Sequence, residues 1–252
     1  MKRQNRITEC REPRTIESER DWRAHFDANQ HRVELGDLFR QVGRTINGNP
    51  VSAEEISLVV DAARSALELG DSDCLLDICC GNGLVTEHLA ATCIKTYGVD
   101  FSEFLIEVAR YNNNAPGTTY IHASAIELTS SYFSAGQPTK VCMIAALQHF
   151  TVTSLERLLH AIENVAERSA PLFFADIPDV ARLYHFYDTP ERRADYERRR
   201  ATGTEAIGTW WDTAHLADIL SAHGYDPEIR KQDSRRSGAH YRFDLLAKRR
   251  RP

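Results

Sequence analysis

A carboxylate and two glycines stand at the end of an apolar stretch, in a pattern suited to binding a nucleotide-like ligand. The stretch Leu75–Gly83 reads Leu-Leu-Asp-Ile-Cys-Cys-Gly-Asn-Gly, and a helix is predicted to begin just beyond it. Glycine lets the backbone approach a ligand closely, and the first turn of a helix offers unpaired N–H groups. A second carboxylate, Asp100, comes 23 residues after Asp77 at the end of the next apolar stretch, where it could accept hydrogen bonds from a ribose.

Two classes of cofactor fit this arrangement. A dinucleotide site requires a third glycine three residues after the second, and that position holds Thr86. S-adenosylmethionine (SAM) has a cationic amino-acid end and no pyrophosphate, so a carboxylate such as Asp77 beside the loop favours SAM. A nicotinamide-dependent oxidoreductase stays open as an alternative.

The elements that position these residues are predicted from apolar patterns. Short apolar strands alternate with helical runs, which is typical of a parallel sheet with helices on both faces. Near the end of the chain, Pro227–Gln232 and His240–Lys248 are predicted to form a hairpin, which adds an antiparallel edge to the sheet. The other predicted strands are Cys74–Cys79, Lys95–Val99, Thr119–Ile121, Lys140–Ala145 and Leu172–Ala175, and the predicted helices cover 83–91, 102–113, 153–168 and 212–223.

Two further segments are predicted to cover the site. Residues 1–51 are polar with scattered aromatic side chains, and we expect them to form a lid of one or two short helices. Ser52 and Glu55 form a capping-box pattern that opens the first long helix, which Gly70 is expected to terminate. The domain proper then spans 52–252, and its long charged insertion at 178–208 is expected to act as a second lid.

In order and spacing, these motifs resemble those of the class I SAM-dependent methyltransferases, in particular the small-molecule enzymes of bacterial polysaccharide or secondary-metabolite pathways. That family has an acid followed by a glycine-rich loop. Asp77, Gly81 and Gly83 match this pattern, and Cys79 stands in place of the first glycine. The resemblance covers roughly residues 55–178 and 209–248. It implies a Rossmann-like α/β fold with a seven-stranded, mostly parallel sheet, an antiparallel C-terminal hairpin and a helical N-terminal lid.

The resemblance also implies which residues hold SAM. Asp100 would bind the ribose, and Phe101 would lie against the adenine. Arg44 resembles residues that fold over SAM in relatives. The full set of expected cofactor-binding residues is Asp77, Cys79, Gly81, Asn82, Gly83, Asp100, Phe101, Ser124, Ala125, Ala145, Leu147 and Arg44.

His149 is the candidate catalytic residue. It is predicted to lie at the tip of the fourth strand, where a neutral imidazole could take a proton from the acceptor. A histidine that only caps the strand end is an equal alternative. The acceptor is expected to be a small molecule, acidic or sugar-like, that is methylated on oxygen, with nitrogen as the second choice. The residues expected to contact it are Tyr184, Tyr187, Trp211, His240 and Arg242.

The composition argues against several other classes of protein. The net charge of −5 and the lack of an Asn/Asp-Pro-Pro-Tyr motif argue against a nucleic-acid substrate. No apolar run reaches about 18 residues and no signal-peptide core is found, so we expect a cytoplasmic protein without membrane association. The six cysteines lack a Cys-x-x-Cys pair and are expected to be reduced thiols, with no metal bound. We expect the protein to be a monomer or a homodimer. A SAM-binding protein without transferase activity is a further functional alternative.

Overall fold

The computed structural model describes residues 15–18, 20–29 and 36–250. The helices in this part of the chain are α1 (Trp22–Asn29), α2 (Leu38–Gln41), α3 (Ala53–Leu67), α4 (Thr86–Ala90), α5 (Glu103–Asn112), α6 (Val152–Val165), α7 (Leu183–Phe186), α8 (Pro190–Ala201) and α9 (Thr213–Ala222). The strands are β1 (Thr45–Ile46), β2 (Asn49–Pro50), β3 (Cys74–Ile78), β4 (Lys95–Asp100), β5 (Thr118–His122), β6 (Lys140–Ile144), β7 (Leu172–Pro178), β8 (Tyr225–Lys231) and β9 (Arg242–Arg249).

The main sheet has seven strands in the order β5-β4-β3-β6-β7-β9-β8. Strands β3 to β7 run parallel, whereas β9 pairs antiparallel with both β7 and β8. This confirms the predicted Rossmann-like α/β class with its antiparallel C-terminal hairpin. The strand order reverses direction at β3 and β6, so the carboxyl ends of these strands flank a crevice, which is where open α/β sheets bind ligands.

Helices cover both faces of the sheet because successive strand residues point to opposite sides. On one face, Leu76 packs with Leu158 of α6 and Leu220 of α9. On the other face, Leu75 packs with α3 residues such as Val60. All five of these side chains are buried. The short strands therefore read as nearly continuous apolar runs in the sequence.

Helix α3 begins as predicted and ends earlier than predicted. The hydroxyl of Ser52 accepts a hydrogen bond from the Glu55 amide at 3.1 Å and caps the first turn. The Glu55 carboxylate accepts hydrogen bonds from Ser237, so it does not act as the second half of a capping box. The prediction that Gly70 ends the helix is wrong. Glu68 takes the left-handed conformation, with φ of 52°, because the turn follows directly after the last residue of the apolar face.

The N-terminal segment lies against the insertion and the residues that follow it. A guanidinium nitrogen of Arg20 donates a 3.0 Å hydrogen bond to the Glu205 carbonyl. Ile16 and Trp210 exchange backbone hydrogen bonds of 2.9 and 2.8 Å, and Asp179 forms a bridge with Trp211. The insertion contains α7 and α8. Tyr196 of α8 packs in a small apolar cluster with Trp210, which follows the insertion. Much of the segment predicted as an N-terminal lid, at 1–14, 19 and 30–35, lies outside the described residues.

Candidate functional site

A cavity of about 360 Å³ lies at the carboxyl ends of β3, β4 and β6, with α1 on its outer side. Its size is that of a site for a small organic ligand. The lining comes chiefly from the carboxyl ends of the strands and the loops that follow them: Cys79–Asn82 after β3, Asp100 and Phe101 at the end of β4, Ser124–Ile126 after β5, and Ile144–Ala146, His149 and Phe150 at the end of β6. The N-terminal segment adds Arg20–Arg23 and Phe26.

The loop after β3 turns sharply and is held from outside by α2. Cys79 and Gly81 both have left-handed backbone, with φ of 58° and 57°. A Cβ at Gly81 would lie 2.7 Å from Cγ1 of Val42, so only glycine fits there without a shift of its neighbour. The Asn82 side-chain amide donates hydrogen bonds of 2.8 Å to the Leu38 carbonyl and to Oε1 of Gln41. The N-terminal segment therefore fixes the shape of this loop.

Asp100 ties the tip of β4 to the same loop. Its Oδ2 accepts a hydrogen bond from the Gly81 amide, and its Oδ1 accepts one from the Ser102 amide, both at 2.9 Å. Burial raises the pKa of the Asp100 carboxyl, and the hydrogen bonds from Ser102 and Gly81 oppose that rise. Each carboxylate oxygen has a further lone pair, so Asp100 can accept additional hydrogen bonds from a ligand in the cavity.

Asp77 is the penultimate residue of β3, and its side chain is buried. Its Oδ2 accepts a 2.6 Å hydrogen bond from the hydroxyl of Thr86, and its Oδ1 lies 3.4 Å from the sulfur of Cys142. Burial raises the pKa of Asp77 to about 6, although the hydrogen bonds from Thr86 and Cys142 lower it. Asp77 therefore orients the first turn of α4 and also places a carboxyl group at the wall of the cavity.

Aromatic side chains form a further part of the cavity wall. The centroid of the His149 ring lies 4.1 Å from that of Trp22 and 5.5 Å from that of Phe26. Phe26 also contacts Phe101 edge to face, at 6.0 Å between ring centroids. The guanidinium of Arg23 lies 4.9 Å from the centre of the Phe101 ring. This aromatic wall thus joins α1 to the tips of β4 and β6.

His149 is held as a neutral imidazole. Burial, followed by the positive charge of Arg242, lowers the pKa of His149 to about 3. Its Nδ1 atom is buried and has no hydrogen-bond partner. A buried polar atom without a partner costs free energy, and such atoms are rare in native structures. The ring also lines the cavity, so a ligand there could supply the missing hydrogen bond if the covering helix α1 moves and exposes Nδ1.

The structure brings most of the predicted cofactor-binding residues to this cavity. It places ten predicted site residues in the lining: Asp77, Cys79, Gly81, Asn82, Asp100, Phe101, Ser124, Ala125, Ala145 and His149.

Three predicted cofactor-binding residues lie outside the lining. Gly83 faces Tyr120, whose hydroxyl a Cβ at this position would strike, so this glycine permits close helix–strand packing instead. Leu147 is 1% exposed and belongs to the apolar core. Arg44 points to Asp176, with 2.8 Å between Nη1 and Oδ2, and so is part of a buried ion-pair network.

The five residues predicted to contact the acceptor also lie outside the lining of this cavity. Trp211 is fully buried, and its indole donates a 3.1 Å hydrogen bond to the Leu147 carbonyl. Tyr187 is buried and donates its hydroxyl hydrogen bond to Glu205. Arg242 donates to the Asp176 carbonyl. The other two, Tyr184 and His240, are exposed at the surface.

Sequence reasoning missed the residues that α1 and the segment before it contribute. Arg20, Trp22, Arg23 and Phe26 line the cavity, although they are more than fifty residues from the glycine loop. Trp22 and Phe26 are four positions apart, so a helix places them on the same face. That aromatic pair in an otherwise polar segment was the available signal.

Residues 75–168, which run from β3 beyond α6, match the family model described as "Methyltransferase domain". The match covers 94 of the 252 residues, so it identifies this part of the chain as similar to a methyltransferase domain. Ubiquinone biosynthesis O-methyltransferase of Pseudoalteromonas translucida (strain TAC 125) is 20% identical to it over 110 residues. That match spans 43% of this chain and 45% of the relative, somewhat less than half of each.

Solved structures of methyltransferases share the fold of this domain. Magnesium protoporphyrin IX methyltransferase from Synechocystis PCC 6803 with bound SAH superimposes with a TM-score of 0.62 at 16% identity, covering 90% of this chain and 99% of that one. The pyocyanin biosynthetic protein PhzM gives a TM-score of 0.61 at 13% identity, covering 89% of this chain and 62% of that one. At these identities the likeness establishes the fold alone.

SAM is the cofactor that a methyltransferase domain implies, and the residues of the cavity fit that molecule. Asp100 offers free lone pairs at the tip of β4, Phe101 offers a ring face beside it, and the left-handed turn at Cys79 exposes backbone toward the cavity. None of the described helices has the length and apolar character needed to cross a membrane.

Proposed function

We propose that this protein catalyses SAM-dependent methyl transfer to an oxygen atom of a small-molecule acceptor. The observation that carries the proposal is the composition of one cavity. The glycine loop and Asp100 line it together with His149, whose Nδ1 has no hydrogen-bond partner. A cofactor-binding half and a half that can receive a second molecule therefore share the same space.

Residues of the loop and of the strand tips would hold the cofactor. Asp100 would accept hydrogen bonds from the ribose hydroxyls, and Phe101 would pack on the adenine. Asp77 would stand near the cationic amino-acid end, where its negative charge is favourable. Bound SAM supplies an electrophilic methyl group on a sulfonium.

The chain's own part in the reaction is to align the acceptor and to receive its proton. A neutral His149 can accept a hydrogen bond from an acceptor hydroxyl at Nδ1. A pKa of about 3 makes it a weak base in the unliganded protein. We therefore propose that alignment contributes most of the acceleration. His149 would take the hydroxyl proton only as the acceptor oxygen bonds to the methyl carbon and gains positive charge, which makes that proton acidic.

The aromatic wall favours an acceptor that carries a flat apolar ring. Trp22, Phe26 and Phe150 line this side of the cavity, and the exposed guanidinium of Arg23 could pair with an anionic group on the acceptor. The curated relative is named as an O-methyltransferase, which agrees with an oxygen acceptor. An amine is the second candidate, because Nδ1 of His149 accepts a hydrogen bond from an N–H equally well.

We also propose that the segment before β1 serves as the lid of this cavity. Its described part places Trp22 and Phe26 in the cavity wall and holds the glycine loop through Leu38 and Gln41. Ordered access of cofactor and acceptor would then require movement of α1.

Two alternatives make different predictions about the ligand. An oxidoreductase would bind NAD, but the position of the third glycine holds Thr86, whose hydroxyl is bonded to Asp77 inside the fold. A SAM-binding protein without transferase activity would bind the cofactor but would not consume it.

The test is calorimetric titration of the full-length protein with SAM, its demethylated product SAH and NAD. We expect SAM and SAH to bind and NAD not to bind. Asp100→Ala should abolish binding, whereas the matched change at the exposed Asp226 should have no effect. A panel of phenols, aromatic acids and amines, assayed by SAH release, then identifies the acceptor. Binding of NAD in place of SAM would refute the proposal, and SAM binding without turnover on any acceptor would favour the non-catalytic alternative.

A further inference from the structure

Three side chains with metal-binding atoms converge on the surface where α6 meets the end of α9. His160 and Glu163 lie on neighbouring turns of α6, and His223 follows the last residue of α9. Nδ1 of His160 is 3.5 Å from Oε2 of Glu163, and Nδ1 of His223 is 3.5 Å from Oε1 of the same carboxylate. The ligand atoms of all three lie within 4.8 Å of one another.

These separations are close to those of a tetrahedral metal site. Bond lengths of about 2.0–2.1 Å to nitrogen and oxygen place neighbouring tetrahedral ligands about 3.3 Å apart. The distance from Nδ1 of His160 to Oε2 is near that value. The 3.5 Å distance from His223 runs to Oε1, the other oxygen of the same carboxylate, so a small side-chain rotation would bring all three ligands to one ion. The His223 side chain is only 12% exposed and so is already fixed, whereas His160 is 68% exposed and is free to swing toward the other two.

Arg249 is the charged group that faces this cluster. One of its guanidinium nitrogens donates a 2.9 Å hydrogen bond to Oε1 of Glu163, and another donates at 2.6 Å to the His223 carbonyl. The guanidinium also lies 4.2 Å from the centre of the Tyr225 ring. Arg249 thus fixes the orientation of the carboxylate while leaving Oε2 available, as an outer-shell partner of a metal ligand does. Its positive charge weakens cation binding at the site.

We propose that His160, Glu163 and His223 bind one divalent transition-metal ion of the zinc class, with water in the remaining coordination position. Two imidazoles and one carboxylate form a donor set that Zn²⁺ uses in proteins. Ser154, the residue of α6 that lines the cavity, is nine positions before Glu163, about 13 Å along the helix. The ion would therefore link α6 to the turn between α9 and β8, and it would have a structural role without taking part in chemistry in the cavity.

The test uses the full-length protein, freed of metal with a chelator and titrated with ZnCl₂ by calorimetry. His160→Ala and His223→Ala are compared with His88→Ala, which removes an exposed histidine of α4 away from the cluster. We expect each cluster variant to weaken Zn²⁺ binding by at least about tenfold and His88→Ala to leave it unchanged. Because cysteine thiols also bind Zn²⁺, the difference between variants is the readout and not the total amount bound.

Thermal unfolding provides a second measurement. Zn²⁺ at about one hundred times its dissociation constant for the wild type should raise the Tm of the wild type by about 5–10 °C, and it should raise the Tm of His223→Ala by at most about half as much. Equal unfolding temperatures of the metal-free proteins establish that the variants fold. If His160→Ala and His223→Ala bind Zn²⁺ as tightly as His88→Ala, or if the wild type binds none, the proposal is overturned. None of these outcomes depends on methyltransferase activity.

Discussion

Replacing Arg236 with methionine should destabilise the protein far more than the same change at its neighbour Arg235. The Arg236 side chain is 2% exposed, and its two terminal nitrogens each lie 2.6 Å from a buried carboxylate, one of Asp176 and one of Asp244. Arg235 is 60% exposed and pairs with surface acids. The two positions carry the same residue type, so burial is the variable that differs.

The magnitude follows from what the substitution leaves behind. Each charge-assisted hydrogen bond contributes about 1.5–3 kcal/mol, and removal of one partner from a buried ion pair costs about 3–5 kcal/mol in total. Asp176 keeps its contact with Arg44 and Asp244 keeps one with Gln232, so the lower half of that range applies. An exposed pair contributes about 0–1 kcal/mol, which sets the expectation for Arg235→Met.

Urea unfolding at pH 7 and at lower pH measures both effects. Burial alone would raise the pKa of Asp176, but Arg236 and then Arg44 hold that pKa well below its usual range. Such a group stabilises the fold above its unfolded pKa, near 3.8, and loses that contribution as the pH falls. The deficit of Arg236→Met should therefore shrink as the pH falls below about 4. Equal losses for Arg235→Met and Arg236→Met, or a deficit that grows in acid, would refute the reasoning.

Two further outcomes follow from the cavity. Gly81→Ala should lower the free energy of unfolding by about 1–3 kcal/mol and weaken SAM binding, because the new Cβ meets a neighbouring valine. Gly43→Ala, with a similar φ of 67° and open space around it, controls for backbone strain alone, and denaturant melts compare the two. The lowered pKa of His149 means that the unfolded chain binds a proton between about pH 6.5 and 3 that the folded protein does not. The free energy of unfolding should therefore decrease as the pH falls from about 6.5 to 3, by up to about 1.4 kcal/mol per pH unit. His149→Phe should remove that part of the pH dependence, and an unchanged slope in the variant would contradict the assignment.

The strands were predictable because their burial on both faces leaves a plain signal in the sequence. Strand β3 differs from its prediction by one residue, since Cys79 leaves the strand in left-handed backbone. Helix α4 begins three residues later than predicted, at Thr86, because the glycine turn continues to Val85. Strand β7 extends to Pro178, which a local pattern does not indicate. These differences arise where tertiary contacts override local preference.

The candidate site was predictable only where it follows the strands. The loop after β3 and Asp100 are fixed by strand order, so their approach to one cavity follows from the topology. The aromatic wall requires α1 to fold back over the sheet, and short-range periodicity does not specify such a contact. The same holds for Arg44, which is 132 residues from its partner Asp176. Pairings of this kind become visible only when the fold is known.

The bridge between Ile16 and Trp210 has a consequence for the order in which the molecule assembles during synthesis. At five to twenty residues per second, a ribosome needs about ten to forty seconds to make the chain between these two positions. Strands β3 to β7 are complete before Trp210 exists, so the parallel sheet can form while the N-terminal segment still lacks its partner. The outer wall of the cavity is then among the last parts to close, and the newly made protein passes through a stage in which its ligand site stands open to the solvent.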